Sequence, residues 1–219
     1  MNGKKITVFA GHYGSGKTNL AVNYALKLRE SGADVSVCDL DIVNPYFRTK
    51  DSEKLLGERG IRMIASEFAN SNVDLPAIPA AAYSIFSSPG YSVVDLGGDD
   101  RGAYALGRFA ELLEESGDYH MLLVISMYRP DTRTPEDTIE VMREIEEACR
   151  VKFTGVVNNS NLGKLTCEEH VKASVSYADE VCRMAGIPLV MTAYPEQLGA
   201  IDVPKPFPVR IYTKEYWNK

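Results

Sequence analysis

Apolar residues along this chain gather into short dense runs, separated by stretches with helical spacing. Ile6-Thr7-Val8-Phe9-Ala10 is β-branched and apolar throughout and reads as a buried strand. Leu20, Ala21, Tyr24, Ala25 and Leu28 then recur at helical spacing, and Ser31-Gly32 supplies the glycine for a left-handed helix cap. Val35-Ser36-Val37-Cys38 predicts a second strand running into Asp39-Leu40-Asp41, and Ile61-Arg62-Met63-Ile64 a short third one. Residues 42–50 and 65–75 read as loops, and residues 76–86 as a helix with Pro76 near its first turn, ended by Pro89-Gly90. Tyr91 to Asp95 is another strand, followed by a helical stripe of Leu106, Phe109, Ala110 and Leu113. Met121-Leu122-Leu123-Val124-Ile125 marks a fully buried strand within residues 119–127. Thr134-Pro135-Glu136-Asp137 opens a helix whose buried side is Ile139, Met142, Ile145 and Cys149. Phe153 to Asn159 is a strand and its tip. Thr166-Cys167-Glu168-Glu169 fits a capping box for a helix burying Val171, Val175, Ala178, Cys182 and Ala185, and residues 187–193 form the last clear strand.

At 219 residues the pattern predicts one α/β domain over residues 1–219, with 204–219 as a proline-rich tail that packs on the body. An apolar share of 45% and a charged share of 25% are ordinary for a soluble protein, so they exclude little. The net charge of −6 argues against a broad basic face, and a nucleic-acid partner is not expected. No apolar run approaches the roughly 18 residues that span a bilayer, and residues 1–5 do not open a signal peptide, so no membrane partner is expected. Cys38, Cys149, Cys167 and Cys182 show no C-x-x-C pairing and read as reduced thiols of a cytoplasmic protein. Cys167 and His170 stand three apart, but no further ligand set accompanies them, and zinc is not expected.

The chemistry begins where the first strand ends. Gly11-His12-Tyr13-Gly14-Ser15-Gly16-Lys17-Thr18 fits G-x-x-x-x-G-K-[ST], the phosphate-binding loop, in the strand-to-helix setting that motif requires. Glycines let the backbone approach an oxyanion, the loop and first-turn amides point at phosphate, Lys17 reaches the β and γ phosphates, and the Thr18 hydroxyl can ligate Mg²⁺. Asp39 and Asp41, two apart at a strand's end, point to the same side at the edge where the loop lies; one can hold metal water and the other orient an attacking water. Val93-Val94-Asp95 followed by Leu96-Gly97-Gly98 fits a metal-binding strand with D-x-x-G, in which Asp95 serves Mg²⁺ and the Gly98 amide meets the γ-phosphate. Asn158 and Asn159, at a strand tip, offer donor and acceptor to an adenine edge or else build a turn. Arg101 and Arg108 either stabilise transferred phosphate, contact a partner, or stand in solvent.

Together these four stretches resemble the MinD/ParA/CobQ-CobB nucleotide-binding family, within the signal-recognition, MinD and BioD class of P-loop proteins, over roughly residues 4 to 200. The resemblance implies a three-layer P-loop NTPase fold, a mostly parallel β-sheet with helices on both faces, and Mg²⁺-ATP at its carboxyl edge. It implies that Asp41 positions the hydrolytic water, that Asp39 and Asp95 join Thr18 around the metal, and that Asn159 is the adenine contact. That family usually carries a second, early lysine in its loop; His12 stands there, followed by Tyr13. His12 either replaces the lysine when protonated or simply fills the loop.

The expected function is an ATPase that acts as a nucleotide-controlled switch on an unidentified protein partner, with a nucleotide-dependent homodimer left open. The alternative is an ATP-dependent small-molecule ligase of the dethiobiotin or cobyrinic acid amide synthase type. No N-K-x-D signature of guanine recognition appears at the expected strand tip.

Overall fold

A computed structural model of the chain describes residues 4–40, 53–64, 80–98 and 100–212. Eight strands form one sheet: β1 (Ile6–Ala10), β2 (Val35–Leu40), β3 (Arg62–Ile64), β4 (Tyr91–Leu96), β5 (Tyr119–Ile125), β6 (Gly155–Asn158), β7 (Leu189–Pro195) and β8 (Pro206–Val209). Their order is β3-β2-β4-β1-β5-β6-β7-β8, and every pair is parallel. A parallel sheet needs both faces covered, which is why its strands are apolar at successive positions and not at alternate ones.

Two cores follow from the pleat. Ile6, Val8, Cys38, Leu40, Val94 and Leu96 face one side. There they meet α4 (Asp100–Gly107), α5 (Ala110–Ser116), α6 (Pro135–Cys149) and α8 (Val175–Ala185). Phe9, Val37, Val93, Leu122 and Val124 face the other side, against α1 (Lys17–Glu30) and α2 (Glu53–Glu58). Each such side chain, fully buried, contributes roughly 1.5–3 kcal/mol of transfer free energy. Among the described residues two further short α-helices occur, α3 (Ser84–Ser87) and α7 (Glu168–Ala173).

Helix α6 starts as its sequence predicts. The Thr134 hydroxyl accepts from the Asp137 amide, Asp137 accepts from the Thr134 amide, and Pro135 needs no partner at the first position. The helix after residue 166 differs. Its box is Cys167 with His170, one residue later than the Thr166–Glu169 box expected. The cause is that the Thr166 hydroxyl closes the preceding turn, donating to the Gly163 carbonyl at 2.7 Å and accepting from the Leu162 amide at 2.8 Å. That helix also breaks at Ser174, whose buried hydroxyl accepts from Asn158 Nδ2 at 2.8 Å.

Strand β8 is absent from the sequence reading, because prolines at 206 and 208 argue against a strand. They sit at the sheet's edge and face outward, while Phe207 and Val209 alternate inward. Asn19 and Asn23 of α1 fix the following segment: Asn23 accepts from the Arg210 amide and donates to its carbonyl, and Asn19 accepts from the Tyr212 amide. Residues 42–50 and 65–75, read as loops, lie outside the described residues, as do Asp41 and Pro76. No helix among the described residues is long and apolar enough to cross a membrane.

Candidate nucleotide site

The site lies at the carboxyl edge of the central strand. β1 enters the glycine loop, and the loop runs directly into α1. Gly16 is the N-cap of α1 with φ 89° and ψ 21°, a left-handed geometry that glycine adopts without steric cost. Among the described residues no side chain caps this helix, and no acid sits in its first turn, so the positive end of its dipole suits an anion. Gly11 lies so close to β5 that a side-chain carbon there would strike the Val124 carbonyl. The Ser15 amide closes the loop on the His12 carbonyl at 3.2 Å, while the Ser15 hydroxyl is buried with no hydrogen-bond partner among the described residues. Lys17 is 6% exposed, and its ammonium donates to the His12 carbonyl at 3.0 Å. Thr18 stands in the first turn of α1.

β4, on one side of β1, supplies the acid edge. Asp39 and Asp95 are register partners on β2 and β4, 7% and 1% exposed. Val37 and Val93, two residues before them, pack on the α1 side, so both carboxylates share that face with Thr18's helix. Burial, together with these two negative charges, pushes the neighbouring Cys38 thiol up to about 12, which leaves it inert. Among the described residues no three His, Cys, Asp or Glu side chains form a metal site by themselves. Two carboxylates and a hydroxyl completed by phosphate oxygens are the donor set that suits Mg²⁺, a hard cation that keeps waters and takes substrate oxygens. The residues present therefore fit the group: Thr18, Asp39 and Asp95 would hold the metal, and the loop amides with Lys17 would hold phosphate. Gly98, just past β4, touches the loop itself. A side-chain carbon there would lie 2.7 Å from Tyr13 Cα and 2.8 Å from Lys17 Nζ.

The other side of β1 holds a cavity of about 560 Å³, within the range that accommodates small organic ligands. Gly16 and Asn159 border it at the loop, with Asn161 and Lys164 farther along and Leu162 and Ile211 among its apolar lining. Sequence reasoning does not name this cavity, because its walls come from five separate segments.

Asn159 is placed where the sequence reading puts it, at the tip beyond β6, on the border of the cavity. Nδ2 donates to the Ser15 carbonyl at 2.6 Å and abuts Gly16, so Asn159 ties the loop to the sheet. Asn159→Ala is expected to destabilise the protein by about 1–3 kcal/mol, since the Ser15 carbonyl loses a partner in a buried setting. Urea unfolding measures this, and an unchanged midpoint would count against the assignment. His12 is likewise held within its own chain: Nδ1 lies 3.1 Å from the Tyr13 carbonyl and Nε2 3.7 Å from an Asp131 carboxylate oxygen. Tyr13 is exposed, as is Gly14. Arg108 is exposed on the segment between α4 and α5.

No protein-family model matches the chain, and no curated protein matches it either. Solved structures do. The cell division protein FtsY of Thermotoga maritima superposes with a TM-score of 0.60 at 20% identity, covering 90% of this chain and 64% of that one. FtsY of Mycoplasma mycoides gives 0.60 at 17% identity, covering 89% and 61%. Signal recognition particle 54 kDa protein of Aeropyrum pernix, solved in complex with GDP, gives 0.55 at 15%, covering 85% and 40%. The chain thus spans about three-fifths of the length of the two FtsY structures. At these identities the likeness is one of fold: a P-loop α/β fold with a parallel sheet and helices on both faces, as the sequence predicts.

Proposed function

We propose that this chain is a Mg²⁺-dependent ATPase whose nucleotide state controls its affinity for a protein partner. The observation that carries the reading is the contact of Gly98 with Tyr13 and Lys17. It couples the phosphate loop to the segment leading into α4, so a change at the terminal phosphate is felt outside the site. Thr18, Asp39 and Asp95 would hold Mg²⁺, which supplies charge neutralisation for the transferred phosphoryl group. Asp41 is the proposed water-positioning acid.

The choice of adenine rests on the sequence: no N-K-x-D signature of guanine recognition stands at the tip of β6, which reads Asn158-Asn159-Ser160-Asn161. The fold of FtsY and of the GDP-bound 54 kDa protein supports a nucleotide switch in general terms. Calorimetric titration with ATP and GTP, each with Mg²⁺, decides the base. ATP is expected to bind at least about tenfold tighter, or about 1.4 kcal/mol. Tighter GTP binding would overturn the adenine assignment, and no uptake of either would overturn the nucleotide reading.

A further inference from the structure

We infer that Arg129 is a second nucleotide-binding cation, acting on the phosphate chain from the side opposite the metal edge. This rests on the nucleotide reading above and adds a residue to it. The sheet order places β4 on one side of β1 and β5 on the other. β4 and the segment after it bring Asp95 and Gly98 to the loop; the turn after β5 brings Arg129. The guanidinium lies along Gly14, with Cζ and Nε each 3.5 Å from where a side-chain carbon would stand. The same residue lines the cavity beside Gly16. Arg129 therefore occupies the boundary between the phosphate loop and the space for base and sugar.

Its position is set by a rigid turn. The Arg129 amide donates to the Ser126 carbonyl at 3.2 Å, and its carbonyl accepts from the Thr132 amide at 3.3 Å. The buried Thr132 hydroxyl donates to the same Ser126 carbonyl at 2.8 Å, and Pro130 fixes the next φ. The guanidinium is exposed, and among the described residues no carboxylate pairs with it. The nearest acid in sequence, Asp131, faces His12. A planar fork of donors suits phosphate oxygens, and this one is held ready without an internal partner. Lys17 stands at the Gly98 side and Arg129 at the cavity side. Arg129 is thus assigned to the phosphates nearer the sugar, which ADP and ATP share.

The test is calorimetry of the full chain, Arg129→Ala and Arg129→Lys with ADP and with ATP, alongside thermal unfolding without nucleotide. Arg129→Ala is expected to weaken ADP and ATP by the same factor, about tenfold, because a charge-assisted contact is lost from both. Arg129→Lys is expected to restore part of the loss, and the unfolding temperature without nucleotide stays at the wild-type value. Wild-type affinity for both nucleotides in Arg129→Ala overturns the inference while leaving the nucleotide reading intact. A loss confined to ATP overturns the assignment to the shared phosphates. A wild-type chain that binds neither nucleotide overturns the reading and the inference together.

Discussion

Lys17→Ala is expected to lower ATP affinity about 10- to 100-fold and the hydrolysis rate by about 10²–10³, the cost of removing one charge-assisted donor and one preorganised transition-state cation. The side chain is almost wholly buried and folds back onto the His12 carbonyl, so its ammonium is held inside the loop's own curve. Nothing else described there duplicates it: Arg129 lies along Gly14, on the β5 side. Lys17→Arg is not expected to rescue. Gly98 comes so near Nζ that a larger planar fork has no room to replace a compact ammonium. The fold is expected to persist, because β1 and α1 are held by Phe9, Leu20, Ala25 and Leu28 in the core. Circular dichroism checks the fold, and a phosphate-release assay with a titration checks the chemistry. Unchanged ATP affinity in the alanine variant would remove Lys17 from the site.

Why the role of this lysine is legible in the sequence, and that of Arg129 is not, is a matter of chain distance. The glycine loop is eight consecutive residues flanked by its own strand and helix, so local spacing carries the whole signal. Asp39 and Asp95 are 56 residues apart, yet each closes an apolar run, and parallel strands ending at one edge bring such ends together. Asn159 was found as a strand tip, but its bond to the Ser15 carbonyl spans 144 residues and leaves no local trace. Arg-Pro after β5 could turn in several directions; the Thr132–Ser126 bond that sets its course is not visible as a pattern. The capping box at residue 166 failed for a similar reason, since two hydroxyl-capable arrangements compete and the preceding turn took the threonine. The prolines of β8 hid a strand because single-residue propensity ignores whether a position is at an edge.

Gly98→Ala tests whether the tip of β4 and the phosphate loop act as one unit. The added methyl would stand 2.7 Å from Tyr13 Cα and 2.8 Å from the Tyr13 amide nitrogen, both backbone atoms that cannot rotate away. Either the loop or the segment entering α4 must shift. α4 is itself fixed closely, since a side-chain carbon at Gly102 would lie 2.8 Å from Gly97 backbone atoms. The strain therefore falls largely on Tyr13 and Lys17. Overpacking of this kind costs about 1–3 kcal/mol, which for a chain of this size lowers the unfolding temperature by about 2–10 °C. The functional effect should exceed the structural one. Saturating ATP at about 100 times the dissociation constant raises wild-type stability by about 2.7 kcal/mol, and the variant is expected to lose most of that increment because its loop no longer presents Lys17 correctly. Gly57→Ala on α2 is the matched control: nothing lies within 4 Å of the new methyl, so the ATP-dependent increment should be unchanged. If Gly98→Ala keeps the full increment while Gly57→Ala does too, the contact between β4 and the loop is packing only, and the switch must be sought elsewhere in the chain.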